Sequence, residues 1–280
     1  EPGDKPFFLM LHTYSVHDYF REHPWVAAEV GERPVMEAEG IFCLIDNSFC
    51  VDGIWPYFEA LYDAEIRYLD KVFDTLMSTL DARGLTDSTY VLLTSDHGEG
   101  FDPENGRVHH GGRLHEDVIR IPFLLAGPDV APRRIADPVS LVDIMPTLLD
   151  IFDVKPGDRV EGVSLMPALA GERIPDRNIF AEEYFYWWRD GARKDVMSIA
   201  VFPLAEAVLS GGRWYTRHQS EAGLTDLIPG TPPLTPEAAQ ATAAQMVQIL
   251  RAHDTRLKPG DSRAEDPELQ EKLQSLGYIN

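Results

Sequence analysis

The chain has 280 residues and 44% hydrophobic content, so it can bury a substantial core in one large α/β domain or one and a half domains. Its formal net charge of −21 at pH 7 argues against electrostatic binding to nucleic acid or to an anionic membrane. An anionic substrate would need local positive charge from a metal ion, arginine or histidine.

The ends and the cysteines of the chain say little about its compartment. No apolar run is long enough to span a membrane, and no signal peptide opens the sequence. Because the chain begins at Glu1 without an initiator methionine, we expect it to be a piece of a longer protein. Cys43 and Cys50 are able to pair, but nothing in the sequence requires it, so the redox compartment stays open.

The first third of the chain predicts a strand, a loop region and a helix. Residues 7–11 are a continuous apolar run, which predicts a buried strand, and a polar loop with His17 follows. Residues 21–58 contain proline, glycine and aromatic residues without clear periodicity, and we expect a long, partly ordered insertion. From residue 61 to residue 80 apolar side chains recur at helical spacing up to Gly84, which predicts an amphipathic helix packed on a sheet.

The middle of the chain alternates strands with helices. Strands are predicted at residues 89–94 and 119–126, the second interrupted at Pro122, and a helix at residues 140–151. This alternation predicts an α/β fold with a mostly parallel sheet flanked by helices. Since the C-terminal ends of parallel strands lie at one edge of a sheet, polar residues that follow these strands are expected to meet there.

The last third of the chain predicts two short strands of a hairpin or small sheet and two helices. These segments are residues 196–209, 213–216, 235–252 and 267–276. We therefore expect a main α/β domain over residues 1–179 and a smaller C-terminal α+β subdomain over residues 180–280.

Asp96 and His97 follow the strand predicted at residues 89–94 after one serine, and a glycine comes next. A carboxylate and an imidazole at a strand end suit a divalent cation, but an aspartate there equally suits a helix N-cap. For the Asp96–His97 pair alone, the metal site and the helix N-cap are about equally favoured. The histidine-rich segment 109–115 that follows favours the metal site.

Other polar residues near the predicted strand ends have both functional and structural interpretations. Only one of the adjacent His109 and His110 can face a given site in an extended chain, and Arg113 is able to hold an anionic oxygen through its fork of donors. His17 is expected to be functional, although its loop position also suits a surface residue. Structural roles are favoured for the remaining candidates: His12 (strand end), His115 (packing or capping), Glu99 and Asp102 (solvated loop charges), Arg120 (ion pair) and Trp187–Trp188 (packing).

Several segments of the chain are similar to sequence motifs that occur in the same order in one known protein family. The segment Thr94-Ser-Asp96-His97-Gly-Glu99 is similar to a metal motif that reads Ser-Asp-His-Gly-Glu, and residues 110–122 to His/Lys-Gly-x-x-x-Tyr-Glu-x-x-x-Arg-x-Pro, with His115 in place of tyrosine. Residues 5–19 are similar to a strand followed by a loop of the type His-x-Pro-Tyr, with Asp18 where proline is common. Weaker matches are residues 62–70, 139–149 and 273–278. Together these segments resemble the sulfatase family of the alkaline-phosphatase superfamily.

The resemblance implies a role for each matching position. Asp96 and His97 would be metal ligands, His17 would contact the substrate anion, and His110 would lie near the leaving-group oxygen, with His110 and His17 taking part in catalysis. Family members hydrolyse sulfate esters and commonly use one Ca²⁺. For this chain Ca²⁺ is the expected ion, with Mn²⁺ and Zn²⁺ left open as alternatives. The implied substrate is a sulfated small molecule or glycan, and residues 1–179 would be the C-terminal part of the family's catalytic domain.

The family's nucleophile is a formylglycine made from the first residue of a Cys/Ser-x-Pro-x-Arg motif. Neither Cys43, Cys50 nor any serine of this chain fits that motif. We expect the nucleophile and a further aspartate pair in a missing upstream segment, with which this chain would associate. The isolated chain is therefore predicted to be inactive.

Two other functions are compatible with the sequence. One is a phosphoryl-transfer relative, such as a phosphonate or phosphodiester hydrolase or a phosphoglycerol-transferase-like enzyme. The other is a non-catalytic remnant that binds an anionic glycan or a protein partner. The nucleophile segment would discriminate among all three.

Overall fold

A computed structural model describes residues 7–21, 23–30, 55–104, 107–111, 114–157, 160–186, 201–218, 222–225 and 231–254. The chain divides into two compact units. The first unit comprises residues 1–95, 99–109 and 122–130, and the second comprises residues 96–98, 110–121 and 131–280. The predicted subdomain boundary at residue 180 stays a prediction, and the predicted helix at residues 267–276 lies outside the described residues.

Two helices build the core of the first unit in the part of the chain that the structure describes. Helix α1 spans Pro24–Val30 and helix α2 spans Trp55–Ala82, so the helix predicted from residue 61 is confirmed but begins earlier. Gly84 follows with a φ of +65°, a conformation that glycine adopts without steric cost. Buried side chains from both helices and the preceding loop form one cluster: Tyr19, Val26, Trp55, Phe58, Leu61 and Ala64.

Two antiparallel strand pairs complete the described part of the first unit. Strand β1 (Val91–Thr94) pairs with β4 (Phe123–Ala126), and β2 (Gly100–Asp102) pairs with β3 (Arg107–His109). The strand predicted from residue 119 begins only at Phe123. The preceding residues form a short helix instead, since the N–H groups of Val118 and Ile119 both donate to the carbonyl of His115.

The prediction of a buried strand at residues 7–11 is wrong. In the described part of the chain these residues belong to no strand pair. Their side chains are exposed, from 53% for Phe7 to 75% for Met10. The apolar run has the composition of an interior strand, but it lacks neighbouring strands among the described residues.

The second unit contains an antiparallel sheet that is covered by a helix. Its strands are β5 (Ile179–Tyr186), β6 (Val201–Ser210), β7 (Arg213–His218) and β8 (Ala222–Thr225), in that order across the sheet. Helix α6 (Pro236–Asp254) packs on it through a buried cluster. That cluster contains Val208, Tyr215, Met246 and Leu250. The predicted hairpin and helix of this region are confirmed.

Three short helices lie in the second unit before the sheet. They are α3 (Glu116–Ile119), α4 (Ile144–Ile151) and α5 (Met166–Leu169). The predicted helix at residues 140–151 is thus confirmed, with a 3₁₀ turn at Leu141–Asp143 before α4. No helix among the described residues is long and apolar enough to cross a membrane.

Every strand pair among the described residues is antiparallel. The α/β class is confirmed, whereas the mostly parallel sheet is not. The alternation of strands and helices along the chain does not determine which strands become neighbours. Whether a pair is parallel or antiparallel depends on which strands pair.

Candidate metal centre

Gly98 places the loop after β1 against helix α3. Its N–H donates to the carbonyl oxygen of Val118 at 2.7 Å. A Cβ atom at this position would lie 2.0 Å from the carbonyl oxygen of Asp117, well inside van der Waals contact. Only glycine therefore allows the loop to lie this close to the helix.

The donor atoms of Asp96 and His97 are arranged by hydrogen bonds within the loop. Asp96 accepts the backbone N–H of His97 through Oδ1 at 3.1 Å. The ring Nδ1 of His97 lies 2.8 Å from the carbonyl oxygen of Gly98. The remaining atoms of the pair, Oδ2 of Asp96 and Nε2 of His97, lie 3.8 Å apart.

His110 lies against this pair within the second unit. Its ring stacks on that of His97, with the centroids 4.2 Å apart and the planes inclined by 25°. A nitrogen of each ring lies within 4.8 Å of one in the other. The side chains are partly accessible, with 64% exposed for Asp96 and 33% for His97, so a small solute can reach the donor atoms.

These residues fit a divalent cation by their chemistry. A carboxylate oxygen and a neutral imidazole nitrogen are ligands that protein sites use for Mn²⁺ and Zn²⁺, and the carboxylate also suits Ca²⁺. Asp96 Oδ2 and His97 Nε2 would hold the ion, and the adjacent ring of His110 adds a third potential donor.

The other sequence-predicted site residues have different positions. His17 belongs to the first unit, where its Nδ1 lies 3.5 Å from Oδ1 of Asp18. Arg113 lies outside the described residues. The predicted structural ion pair of Arg120 is confirmed, since its guanidinium contacts Glu116 one turn earlier in the chain.

Glu99 was predicted to be a solvated loop charge, and this prediction is wrong. Its side chain is only 4% exposed, and its Oε1 lies 3.9 Å from Nδ1 of His109 in the first unit. Burial and, second, the charge of Glu99 raise the pKa of Tyr19, and the same two causes raise the pKa of Tyr62. Gly98 and Gly100, which flank Glu99, were the one signal in the sequence that the backbone packs closely here and that Glu99 is buried.

Comparison with solved structures defines the class of fold. The chain resembles the phosphonate monoester hydrolase SpPMH from Silicibacter pomeroyi, with a TM-score of 0.59 and 20% identity over 87% of this chain and 49% of that chain. It also resembles BT4656, solved in complex with its substrate D-glucosamine-2-N,6-O-disulfate, with a TM-score of 0.54 and 20% identity over 80% of this chain and 46% of that chain. The fold is therefore a mixed α/β fold of the alkaline-phosphatase-like class.

Sequence comparison identifies the family. Arylsulfatase K from Xenopus laevis is 38% identical over 112 residues, which are 40% of this chain and 20% of that protein. The sulfatase family model matches residues 1–154, more than half of the chain, and the chain belongs to the sulfatase family. It spans about a fifth of the length of arylsulfatase K and less than half of the two solved structures.

Proposed function

We propose that this chain is part of a metal-dependent hydrolase of sulfate esters, in which Asp96 and His97 bind the metal. The observation that carries the proposal is the loop after β1. There Asp96 Oδ2 and His97 Nε2 lie 3.8 Å apart within a motif of the sulfatase family, and the ring of His110 stacks on that of His97.

Each residue of the proposed site has a role that its chemistry supports. A bound divalent cation would neutralise charge on the sulfuryl oxygens. His110 would donate a proton to the departing alcohol oxygen, which an imidazole does efficiently near neutral pH. By the family resemblance, His17 would assist as a catalytic contact to the sulfate. By its chemistry, Arg113 would bind the sulfate oxygens through paired N–H donors. Because the whole chain carries a charge of −21, this local positive charge is needed to bind an anion.

The nucleophile of the reaction would come from outside the 280 residues. We propose a formylglycine in a Cys/Ser-x-Pro-x-Arg segment of the complete protein, because no cysteine or serine of this chain fits that motif. The same segment would cover the exposed apolar run at residues 7–11 by pairing with it as a strand. The chain alone, which has only part of the proposed ligand set, would therefore bind metal weakly and hydrolyse sulfate esters negligibly.

The metal and the substrate can be proposed by class. Ca²⁺ is the ion that the family resemblance implies, whereas the imidazole of His97 is a ligand type more typical of Mn²⁺ and Zn²⁺. A sulfated small molecule or glycan is the proposed substrate. The family membership supports it, as does the similarity in fold to BT4656, which was solved with a disulfated glucosamine.

A second candidate is hydrolysis of a phosphonate monoester or phosphodiester. The similarity in fold to the phosphonate monoester hydrolase SpPMH supports it, as does the Asp-His donor pair, which serves phosphoryl oxygens as well as sulfuryl oxygens. The third possibility, a non-catalytic remnant, predicts binding of an anionic glycan or a protein partner without turnover of either ester.

Metal titration of the chain tests the proposal directly. The binding of Mn²⁺, followed by electron paramagnetic resonance, and of Ca²⁺ and Zn²⁺, followed by calorimetry, is compared for the unsubstituted chain and Asp96→Asn/His97→Gln. The matched control is Asp74→Asn/His218→Gln, which makes the same chemical changes on α2 and β7. Loss of binding in the first variant alone is expected. Equal affinities in all three proteins would contradict the metal site.

Turnover separates the candidate reactions. The product of the complete coding sequence, if it carries Cys/Ser-x-Pro-x-Arg, is expected to hydrolyse p-nitrophenyl sulfate and to lose this activity in His110→Ala. Preference for p-nitrophenyl phenylphosphonate would favour the second candidate, and absence of both activities would favour the remnant. Robust sulfate hydrolysis by the 280-residue chain would contradict the proposed origin of the nucleophile.

A further inference from the structure

Gly98 contacts its surroundings through each of its backbone groups. Its N–H is bonded to Val118 of helix α3, and its Cα faces the carbonyl of Asp117 at a distance that leaves no room for a side chain. Its carbonyl oxygen lies 2.8 Å from Nδ1 of His97. The residue therefore connects helix α3 to the imidazole of His97 entirely through its backbone.

The contact with the Gly98 carbonyl determines which nitrogen of His97 carries the proton. A carbonyl oxygen accepts hydrogen bonds and never donates one, so the hydrogen of this bond must be on Nδ1 of His97. In a neutral imidazole the other nitrogen then has a lone pair. Nε2, the atom that lies 3.8 Å from Asp96 Oδ2, is accordingly the nitrogen able to bind a cation.

Asp96 is oriented in a complementary way by the same loop. Its Oδ1 accepts the backbone N–H of His97 at 3.1 Å, and this bond holds Oδ2 on the side of Nε2. Two electron-pair donors are thus oriented side by side by hydrogen bonds to backbone groups of the loop. Donor atoms that are fixed before binding cost less entropy to order when the ion arrives.

We propose that Gly98 is a positioning residue for metal binding. Its backbone contacts with α3 hold its carbonyl oxygen where it sets the tautomer of His97, and they fix the donor face, which consists of Asp96 Oδ2 and His97 Nε2. The proposal rests on the proposed metal site. It adds that the donor face is preformed in the metal-free chain and that glycine is required for it. Hydrogen-bond partners of metal-binding histidines typically change metal affinity about 10–100-fold when they are removed.

The tautomer is tested first, in the metal-free 280-residue chain. Nitrogen-15 NMR at a pH of about 8.5, two units above the ordinary histidine pKa, distinguishes a protonated from an unprotonated ring nitrogen. The His97 signals are assigned by their absence from His97→Gln. We expect the proton on Nδ1 and the lone pair on Nε2. A proton on Nε2 would overturn the proposal, whether or not the chain binds a metal.

The requirement for glycine is tested with Gly98→Ala, and Gly157→Ala is the control. A Cβ at Gly157 meets nothing within 4 Å, so the control adds the same methyl group in open space. We expect Gly98→Ala to change the tautomer of His97 and to weaken Mn²⁺ binding about 10–100-fold, while Gly157→Ala retains both properties. An unchanged tautomer and affinity in folded Gly98→Ala would overturn the proposal.

Two measurements keep these outcomes distinct from folding defects and from failure of the metal site. Thermal unfolding compares the two alanine variants, and if Gly98→Ala does not fold, the tautomer of the unsubstituted chain decides the question. If the unsubstituted chain binds no metal but has the proton on Nδ1, the proposed metal site of the isolated chain fails, while the contact of Gly98 with His97 is retained.

Discussion

The imidazole rings of His97 and His110 stack at a centroid distance of 4.2 Å within the second unit. The family resemblance assigns these two rings different roles, one at the metal and one at the leaving group. With these proposed roles, a proton donor would lie directly beside the ion that would hold the ester. Substitutions of the two histidines should therefore affect metal binding and turnover differently.

His97→Ala is expected to weaken Mn²⁺ binding by about tenfold or more, because it removes a proposed ligand. His110→Ala should leave the affinity much closer to that of the unsubstituted chain and act mainly on turnover of the complete enzyme. Electron paramagnetic resonance titration of both variants measures the difference. Equal losses of affinity would mean that His110 is a ligand rather than the leaving-group residue.

Asp143 and Arg177 form a buried ion pair next to helix α4. Asp143 is completely buried and also accepts the backbone N–H groups of Ser140 at 2.8 Å and Val163 at 3.0 Å. Asp143→Ala should lower the free energy of unfolding by about 3–5 kcal/mol, because it leaves the arginine and both N–H groups without their acceptor.

An exposed arginine provides the control for this ion pair. Arg173, 82% exposed, pairs with Asp137 at 3.0 Å, so Arg173→Ala should cost less than about 1 kcal/mol. Urea unfolding of both variants gives the comparison. Similar costs for the two substitutions would show that Asp143 is hydrated in solution.

Periodic and contiguous features of the chain were predictable from the sequence. The helical spacing after residue 61 and the hairpin around residues 210–212 both correspond to local contacts, which neighbouring residues determine by themselves. The Asp96–His97 pair was recognisable for the same reason, since its donor atoms are oriented by hydrogen bonds between adjacent residues.

Features that depend on distant contacts were not predictable. The pairing of β1 with β4 joins segments about thirty residues apart, and no local pattern encodes its antiparallel direction. Glu99 is buried and interacts electrostatically with Tyr19 and Tyr62, which come from distant parts of the chain. Residues 7–11 could be buried only if neighbouring strands covered them, and no described strand does. Their apolar composition alone therefore gave the wrong prediction.

Tyr19 should make the stability of the chain sensitive to alkaline pH. Its side chain is fully buried, and its hydroxyl has no hydrogen-bond partner among the described residues. Burial, followed by the charge of Glu99, raises its pKa in the folded state. Above pH 10, the ordinary tyrosine pKa, the unfolded chain loses this proton while the folded chain keeps it. Stability therefore falls as the pH rises, by up to about 1.4 kcal/mol per pH unit from this residue.

Tyr19→Phe is expected to reduce this alkaline loss of stability. At pH 7 the variant should be as stable as the unsubstituted chain or more stable, because it removes a buried hydroxyl that has no hydrogen-bond partner among the described residues. Urea unfolding between pH 7 and pH 11 measures both effects, with Tyr68→Phe as the control that should retain the alkaline slope. An unchanged slope in Tyr19→Phe would mean that the hydroxyl is hydrated in the folded chain.

Two leucines of opposite exposure test the position of residues 7–11. Leu61 on α2 is completely buried, whereas the side chain of Leu9 is 60% exposed. Leu61→Ala should lower the free energy of unfolding by about 2–5 kcal/mol through lost packing and a residual cavity. Leu9→Ala should change it by less than about 0.5 kcal/mol. A large cost for Leu9→Ala would show that residues 7–11 are packed in the isolated chain, which would remove the surface on which the proposed nucleophile segment is expected to dock.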